Sequence, residues 1–218
     1  MERLKYSFLF LFALSILGCE KTETFNNTDT QVGHSRVVFF PTLETKGERL
    51  IIINQGTTYT DAGANALLNG AANPFTTTGT VNTAVPGVYV LRYSTSNPEG
   101  FSTGDFRTVV VMGTDIAGND FSGTYARYVS GAPNGQTSTW TKTANGVYTV
   151  VNPGGATGVT ATVVNYSGNN IAVPLQLTSV GEFYSTGGVY NKNANPPQYQ
   201  WTIINATYGN AVRTFVKQ

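Results

Sequence analysis

Side chains that transfer protons, attack carbon or hold metals are scarce in this 218-residue chain. There is one histidine, His34, and one cysteine, Cys19. A Ser-His-Asp or Cys-His relay needs an imidazole inside a folded site. His34 lies in a polar run near the N-terminus, so solvated surface is its expected setting. No His/Cys spacing of the zinc type occurs, nor an EF-hand loop, nor a glycine-rich loop ending in Lys-Ser/Thr. Cleavage of a glycosidic bond normally takes two carboxyl groups, yet Glu182 is the single acid between Phe121 and Gln218. Glu44, Glu48, Asp61, Glu99 and Asp105 stand further upstream, at expected loops and turns, where solubility explains them. The chain is therefore read as non-catalytic, with no metal and no cofactor. Its formal net charge of +1, without a basic cluster, also argues against nucleic acid as a partner.

The C-terminal half is rich in rings instead. Thirteen aromatic residues fall between Phe121 and Gln218, among them both tryptophans, Trp140 and Trp201. Rings stack on the apolar C–H faces of sugars, and amides and hydroxyls read sugar hydroxyls. Rings are equally the ordinary packing residues of β domains. Trp140 stands alone in the polar run Thr137–Thr143, either as the core anchor of an edge strand or as an exposed stacking platform. Trp201 alternates with Ile203 and is read as core. Tyr190 and Tyr199 border the amide-rich loop Asn191–Gln198, stiffened by Pro196-Pro197. Candidate ligand-binding residues are Trp140, Tyr184, Tyr190, Asn193, Asn195 and Tyr199.

The elements that must position these residues begin after residue 35. Residues 1–18 read as a removable export signal: Arg3 and Lys5, then an apolar run from Tyr6 to Gly18. Thirteen residues span roughly 20 Å as a helix, short of a ~30 Å hydrocarbon core. The run Ile16-Leu17-Gly18-Cys19 resembles a lipobox, which implies a lipid on Cys19 and attachment to a membrane. Residues 19–35 are polar, lack periodicity and read as a flexible tether. Glu20 and Glu23 just behind Cys19 resemble a surface-export signal. The expected location is the outer membrane, at the cell surface rather than its periplasmic face.

Residues 36–113 form the first expected domain, with strands at Val37–Phe40, Arg49–Ile53, Thr57–Tyr59, Gly87–Thr95 and Gly104–Met112. Val88 to Tyr93 is dense in β-branched and aromatic residues, and Pro86-Gly87 and Asn97-Pro98-Glu99-Gly100 punctuate its ends. The segments TTYTDAGA (57–64), AVPGVYVLRY (84–93) and FRTVVV (106–111) together resemble a bacterial immunoglobulin-like domain of cell-surface proteins. That resemblance implies a β-sandwich. Asp61 is expected to cap a turn, and Tyr89 and Tyr93 to share one strand face. The turn at Ser96–Gly100 departs from the Asp-x-x-Gly-Asn turn of many relatives, so no ion or partner contact is carried over from it.

Residues 114–120 are a short polar joint. Residues 121–218 read as a series of short strands at about ten-residue spacing: Thr124–Ser130, Ser138–Thr143, Val147–Asn152, Val159–Tyr166, Asn170–Thr178, Glu182–Tyr184, Tyr199–Ala206 and Ala211–Val216. Asn145-Gly146 is a strong hairpin signal. Pro174 puts its strand at an edge or a bulge. Pro153-Gly154-Gly155 and Thr186-Gly187-Gly188 read as turns. The fold class is all-β: an Ig-like β-sandwich, then a second antiparallel β-barrel or β-sandwich domain of about eight strands. The arrangement resembles two-domain surface lipoproteins, many of them encoded with outer-membrane glycan-uptake systems. It implies a polysaccharide or oligosaccharide ligand and outer-membrane uptake proteins as partners. The alternative is a structural or protein–protein interaction subunit of a surface assembly.

Overall fold

The structure, a computed structural model, describes Gln31–Val32 and residues 35–218. The leader, Cys19, His34 and most of the tether lie outside the described residues. β1 (Gln31–Val32) and β2 (Ser35–Arg36) pair antiparallel. Phe39–Gln218 forms one compact unit, all strand and turn, with no helix among the described residues.

Its first part is a sandwich of two sheets. One sheet runs β3 (Thr42–Thr45), β5 (Ala64–Leu68), β6 (Ala71–Ala72). The other has the order β4 (Leu50–Asn54), β9 (Ser102–Met112), β8 (Gly87–Ser96), β7 (Thr76–Thr78). β4 pairs β9 in parallel, and the β8–β9 hairpin is antiparallel from Gly87↔Val111 to Ser96↔Ser102. Asn97 closes that hairpin: its Oδ1 accepts the Phe101 amide at 2.8 Å and its Nδ2 donates to the Phe39 carbonyl at 2.9 Å.

Two expected strands are corrected. Val37–Phe40 and Thr57–Tyr59 are irregular, and Phe40 is 64% exposed. Four strands were not expected, β3, β5, β6 and β7; of these β5 has inward residues Ala64 and Ala66, while Leu67 points to solvent. Large residues from the facing sheet, Leu91 and Tyr93, occupy the room that the alanines leave. Small-in, large-out inverts the alternation by which a half-buried strand is read.

The second part is an eight-stranded antiparallel barrel. Its strands are β10 (Gly123–Val129), β11 (Ala132–Ala144), β12 (Val147–Val151), β13 (Thr160–Ser167), β14 (Asn170–Ala172), β16 (Gly181–Asn191), β17 (Gln198–Ile204) and β18 (Val212–Lys217). Each follows its neighbour as a meander. β18 closes on β10 (Ala126↔Val216), and β14 meets β16 at Asn170↔Val189. β15 (Gln176–Thr178) folds back onto β16 as a side hairpin.

The expected strand Asn170–Thr178 is broken in two. Pro174 has no N–H for a ladder, and the chain leaves the wall at Val173–Leu175. There the Leu175 carbonyl accepts the Thr108 hydroxyl of the sandwich at 2.7 Å. The Gln176 side chain sutures the gap, donating to the Thr162 carbonyl and accepting the Thr162 amide, both at 2.8 Å. A side-chain amide thus replaces one step of backbone pairing.

Thr186-Gly187-Gly188 is not a turn. It is a bulge inside β16, between Thr186 and Val189, and a Cβ on Gly188 would overlap the Ile171 carbonyl. Glycine lets two backbones touch where the barrel closes.

Rings fill the interior. Trp140 and Trp201 stack at 5.6 Å, Tyr199 and Phe215 at 4.8 Å, and Phe121 and Tyr190 at 3.8 Å. Their polar tips are satisfied internally, as buried Trp and Tyr require. Trp140 Nε1 donates to Tyr199 Oη and Trp201 Nε1 to the Pro153 carbonyl, both at 3.1 Å. Tyr125 Oη donates to the Phe121 carbonyl at 2.6 Å.

The two parts are locked together. Ile116, 1% exposed, clusters with Val110 and Met112 of β9 and Val164 of β13. The Gly113 amide donates to the Tyr166 carbonyl at 2.7 Å. Asn119 Nδ2 donates to Asn165 Oδ1 at 2.9 Å and to the Gly168 carbonyl at 3.0 Å. Gly146, at φ +66°, sits so close that a Cβ would lie 2.6 Å from Met112 Cε. The Asn145-Gly146 turn therefore makes a hairpin and also seats the sandwich.

Candidate functional site

The six candidate residues separate by burial. Trp140, Tyr190 and Tyr199 are 2%, 3% and 1% exposed and belong to the barrel core. Tyr190 and Tyr199 pair directly across β16 and β17, so they clamp the base of the loop from inside. Their ring faces are covered by Phe121, Phe215 and Trp201. Tyr184 is half-buried, and Asn193 and Asn195 are exposed. Asn193 is held through its backbone, its amide donating to Asn191 Oδ1 at 3.1 Å. Of the six, Asn195 alone lines a concave surface on the barrel wall.

That surface is a groove of about 500 Å³ between the Asn191–Gln198 loop and the end of the β10–β11 hairpin. Tyr128, Ser130, Asn195, Pro196, Gln198, Thr214 and Val216 line it. The geometry follows from alternation: Tyr125 points into the barrel and Phe215 does likewise, leaving Thr214 and Val216 outside. Strand alternation from inward Tyr125 puts Tyr128 on the outer wall, opposite Thr214 of β18, while the extra residues of the β10–β11 irregularity lie on β11. The side chains of Tyr128, Ser130, Asn195 and Gln198 make no hydrogen bond among the described residues, so their donors and acceptors remain unspent. No charged side chain lines the groove.

A larger hollow of about 640 Å³ lies on the sandwich, around Asn73, Phe75, Thr76, Ser94 and Asn97. Its amides are already committed. Asn73 Nδ2 donates to Thr95 Oγ1 at 2.6 Å and to the Ser96 carbonyl at 3.0 Å, and both ends of Asn97 hold backbone. The sandwich rather than the barrel also carries the exposed phenylalanines, Phe40, Phe75 and Phe101, with the Phe40 and Phe101 ring centroids 5.0 Å apart.

Two acids meet in a third cleft of about 440 Å³, where Asp105 and Glu182 line one wall with Arg92. Asp105 is not the loop carboxylate expected from sequence. It stands within β9, accepting from Arg49 Nη2 at 2.7 Å and from the Thr45 hydroxyl at 2.8 Å. Burial alone would raise its carboxyl, but Arg49 and the Thr45 and Phe106 donors outweigh that and hold it at about 2. It cannot store a proton near neutral pH, so it is no general acid.

Asp61 accepts the Gly63 amide across its turn, and it does more. Its Oδ1 takes the Arg107 guanidinium, the Tyr93 hydroxyl at 2.8 Å and the Tyr59 hydroxyl at 3.1 Å. Burial opposes its charge, but these donors and the Gly63 amide leave the carboxyl below its ordinary value. Among the described residues, no group of three or more His, Cys, Asp or Glu could hold a metal ion.

Sequence reasoning singled out the loop that borders this groove but did not pick out Tyr128, Gln198 or Thr214. Tyr128 was within reach: it stands three positions after Tyr125 in one strand, so alternation puts the two rings on opposite faces.

Comparison with known proteins bears on the sandwich. No curated protein sequence matches the chain. The solved structure of the lipoprotein BT2262 from Bacteroides thetaiotaomicron aligns over 82% of this chain and 100% of its own length, at 21% identity and a TM-score of 0.36. Residues 43–111 match the family described as "Bacterial surface protein, Ig-like domain", in agreement with the two-sheet sandwich of this part of the chain.

Proposed function

We propose that this protein is a non-catalytic module of the bacterial cell surface, in which the Ig-like sandwich is a rigid spacer and the barrel binds glycan. One observation carries the reading. A single groove brings together the half-buried Tyr128 ring, the free amides of Asn195 and Gln198, and the hydroxyls of Ser130 and Thr214. A ring offers a face for sugar C–H groups, while amides and hydroxyls match sugar hydroxyls in both donor and acceptor sense. The absence of charge suits a neutral polysaccharide or oligosaccharide. The buried Ile116 joint supports the spacer role, because a groove on a stiff stalk keeps its orientation. The spent carboxylates Asp61 and Asp105 support a non-catalytic role. A lipid on Cys19, an outer-membrane location and uptake proteins as partners complete the proposal.

Affinity electrophoresis of the purified protein through gels containing neutral polysaccharides tests it. Retarded migration is expected, weakened roughly tenfold in affinity by Tyr128→Ala and by Asn195→Ala. Trp140→Phe, a change inside the core, should leave retention intact. Unretarded migration in every gel, with no signal on a glycan array, would sink glycan binding and favour a structural subunit.

A further inference from the structure

The barrel carries Arg127, Lys142, Lys192, Arg213 and Lys217 against one acid, Glu182. Two of those cations are turned inward. Arg127 lies opposite Phe215 in the β10–β18 ladder, so Arg213 is its near neighbour two residues along β18. Arg213 is 7% exposed. Both contact the turn after β12. Arg213 Nη1 donates to the Gly154 carbonyl and Nη2 to the Tyr208 carbonyl, each at 2.6 Å. A Cβ on Gly155 would lie 2.8 Å from Arg127 Cδ. Arg127 Nη1 donates to Gln136 Oε1.

Much of their hydrogen-bonding capacity is unused. A guanidinium has five N–H donors, and the Nε atoms of both arginines are buried with no partner among the described residues. Neither group is in an ion pair: the two side-chain ion pairs among the described residues, Arg49–Asp105 and Arg107–Asp61, both belong to the sandwich. Burial and then the neighbouring Arg127 charge lower the Arg213 pKa, as expected of a cation without a counter-ion. Capping two carbonyls does not require two like charges, since a neutral amide would do it without repulsion or a buried unpaired ion. The place is also distinct. The turn at 152–159 lies at the end of β12 opposite the Asn145-Gly146 turn that seats the sandwich.

We propose that this end of the barrel is an anion site, in which Arg127 and Arg213 together receive one compact oxyanion. The shared chemistry is a carboxylate, sulfate or phosphate group accepting several N–H donors at once. It is carried on an acidic sugar or is free in solution. The site is separate from the groove around Tyr128 and does not rest on the reading of that groove.

The test is an NMR titration of the ¹⁵N-labelled protein, following the arginine Nε–H resonances. Sodium glucuronate, sodium sulfate and sodium phosphate are the probes, with glucose and sodium chloride as controls. Saturable shifts of the Arg127 and Arg213 signals are expected with at least one oxyanion and with neither control. Stronger binding of glucuronate would identify the sugar-borne group, and stronger binding of sulfate or phosphate the free ion. Arg127→Gln should weaken the affinity roughly tenfold or more, and Arg127→Lys by less, since it keeps charge but loses the fork. Tyr128→Ala should leave the response unchanged. Shifts absent with all three oxyanions, or equal to those in sodium chloride, would overturn the proposal. The wild-type titration decides it even if a variant fails to fold.

Discussion

The sandwich and the barrel are both built of antiparallel hairpins, yet opposite means hold them. The sandwich has a thin core, Ala64, Leu91 and Tyr93, ringed by half-buried neighbours. It adds charge to that core. Arg107, 2% exposed, meets Asp61 and donates from Nε to the Glu48 carbonyl at 3.1 Å and from Nη2 to the Lys46 carbonyl. The barrel is filled with rings and is almost free of acids. Buried Arg213 and half-buried Arg127 have no carboxylate. A buried cation that meets an acid and two carbonyls is a structural rivet. One with empty donors and no acid is an unfinished contact, and for that reason the barrel end, not the sandwich, is where an anion is sought.

Removing the largest ring should sharpen this contrast most. Trp140→Ala is expected to cost about 3–5 kcal/mol and to fall on the barrel alone. Both tryptophans lie in the barrel, so the remaining Trp201 fluorescence follows barrel unfolding in denaturant, while the far-ultraviolet sheet signal includes both parts. The fluorescence transition should move ahead of the sheet signal. Coincident transitions would break the idea of two separately sustained parts.

Arg107→Ala should cost about 3 kcal/mol, because it leaves half-buried Asp61 without its cation and the Glu48 and Lys46 carbonyls without their donor. A double change, Arg107→Met with Asp61→Asn, should recover part of the loss, read as the midpoint of the sandwich transition. A double variant no better than the single would deny that the charge itself matters.

Ile116→Ala should cost about 2–3 kcal/mol and loosen the joint, widening the gap between the two transitions in calorimetry. An unchanged gap would mean that Ile116 stabilises one side only.

Acid should act on the sandwich first. The Asp105 carboxyl is depressed in the folded protein, so its stabilisation is full above its ordinary value of 3.8 and fades as the pH falls towards about 2. Across that window the sandwich should lose about 2 kcal/mol, and Asp105→Asn should flatten the profile. An identical acid profile in the variant would assign the loss elsewhere. The smallest stability effect is expected from Tyr128→Ala, within about 0.5 kcal/mol by thermal melting, although it should weaken glycan affinity roughly tenfold. A large drop in melting temperature would make Tyr128 a packing residue and remove it from the groove.

Much of the architecture was legible before the fold. Val147–Val151 and the Gly87–Ser96 hairpin announce themselves by β-branched and aromatic runs between turn residues. Asn145-Gly146 was a hairpin in sequence and in space. Ala64–Leu68 was not legible, because its buried residues are alanines and Leu67 faces outward. Thr186-Gly187-Gly188 looked like a turn because glycine is needed both in turns and where backbones touch. Trp140 could not be placed from its neighbours: six polar residues around one ring are compatible with a wet platform or with the center of a core.

What the sequence determined alone was chemical capacity and periodicity: one acid in the last 98 residues, rings in abundance, and strand-length runs between turns. Such properties belong to single residues and near neighbours, so no fold is needed to read them. The tertiary structure decided which rings meet water, which acids meet arginines, and which residues share a groove. Tyr128 and Asn195 are 67 positions apart, and closure of a barrel between β18 and β10 is what makes them neighbours. Contacts of that range depend on register and curvature summed over every strand in between, and no local pattern in the chain encodes that sum.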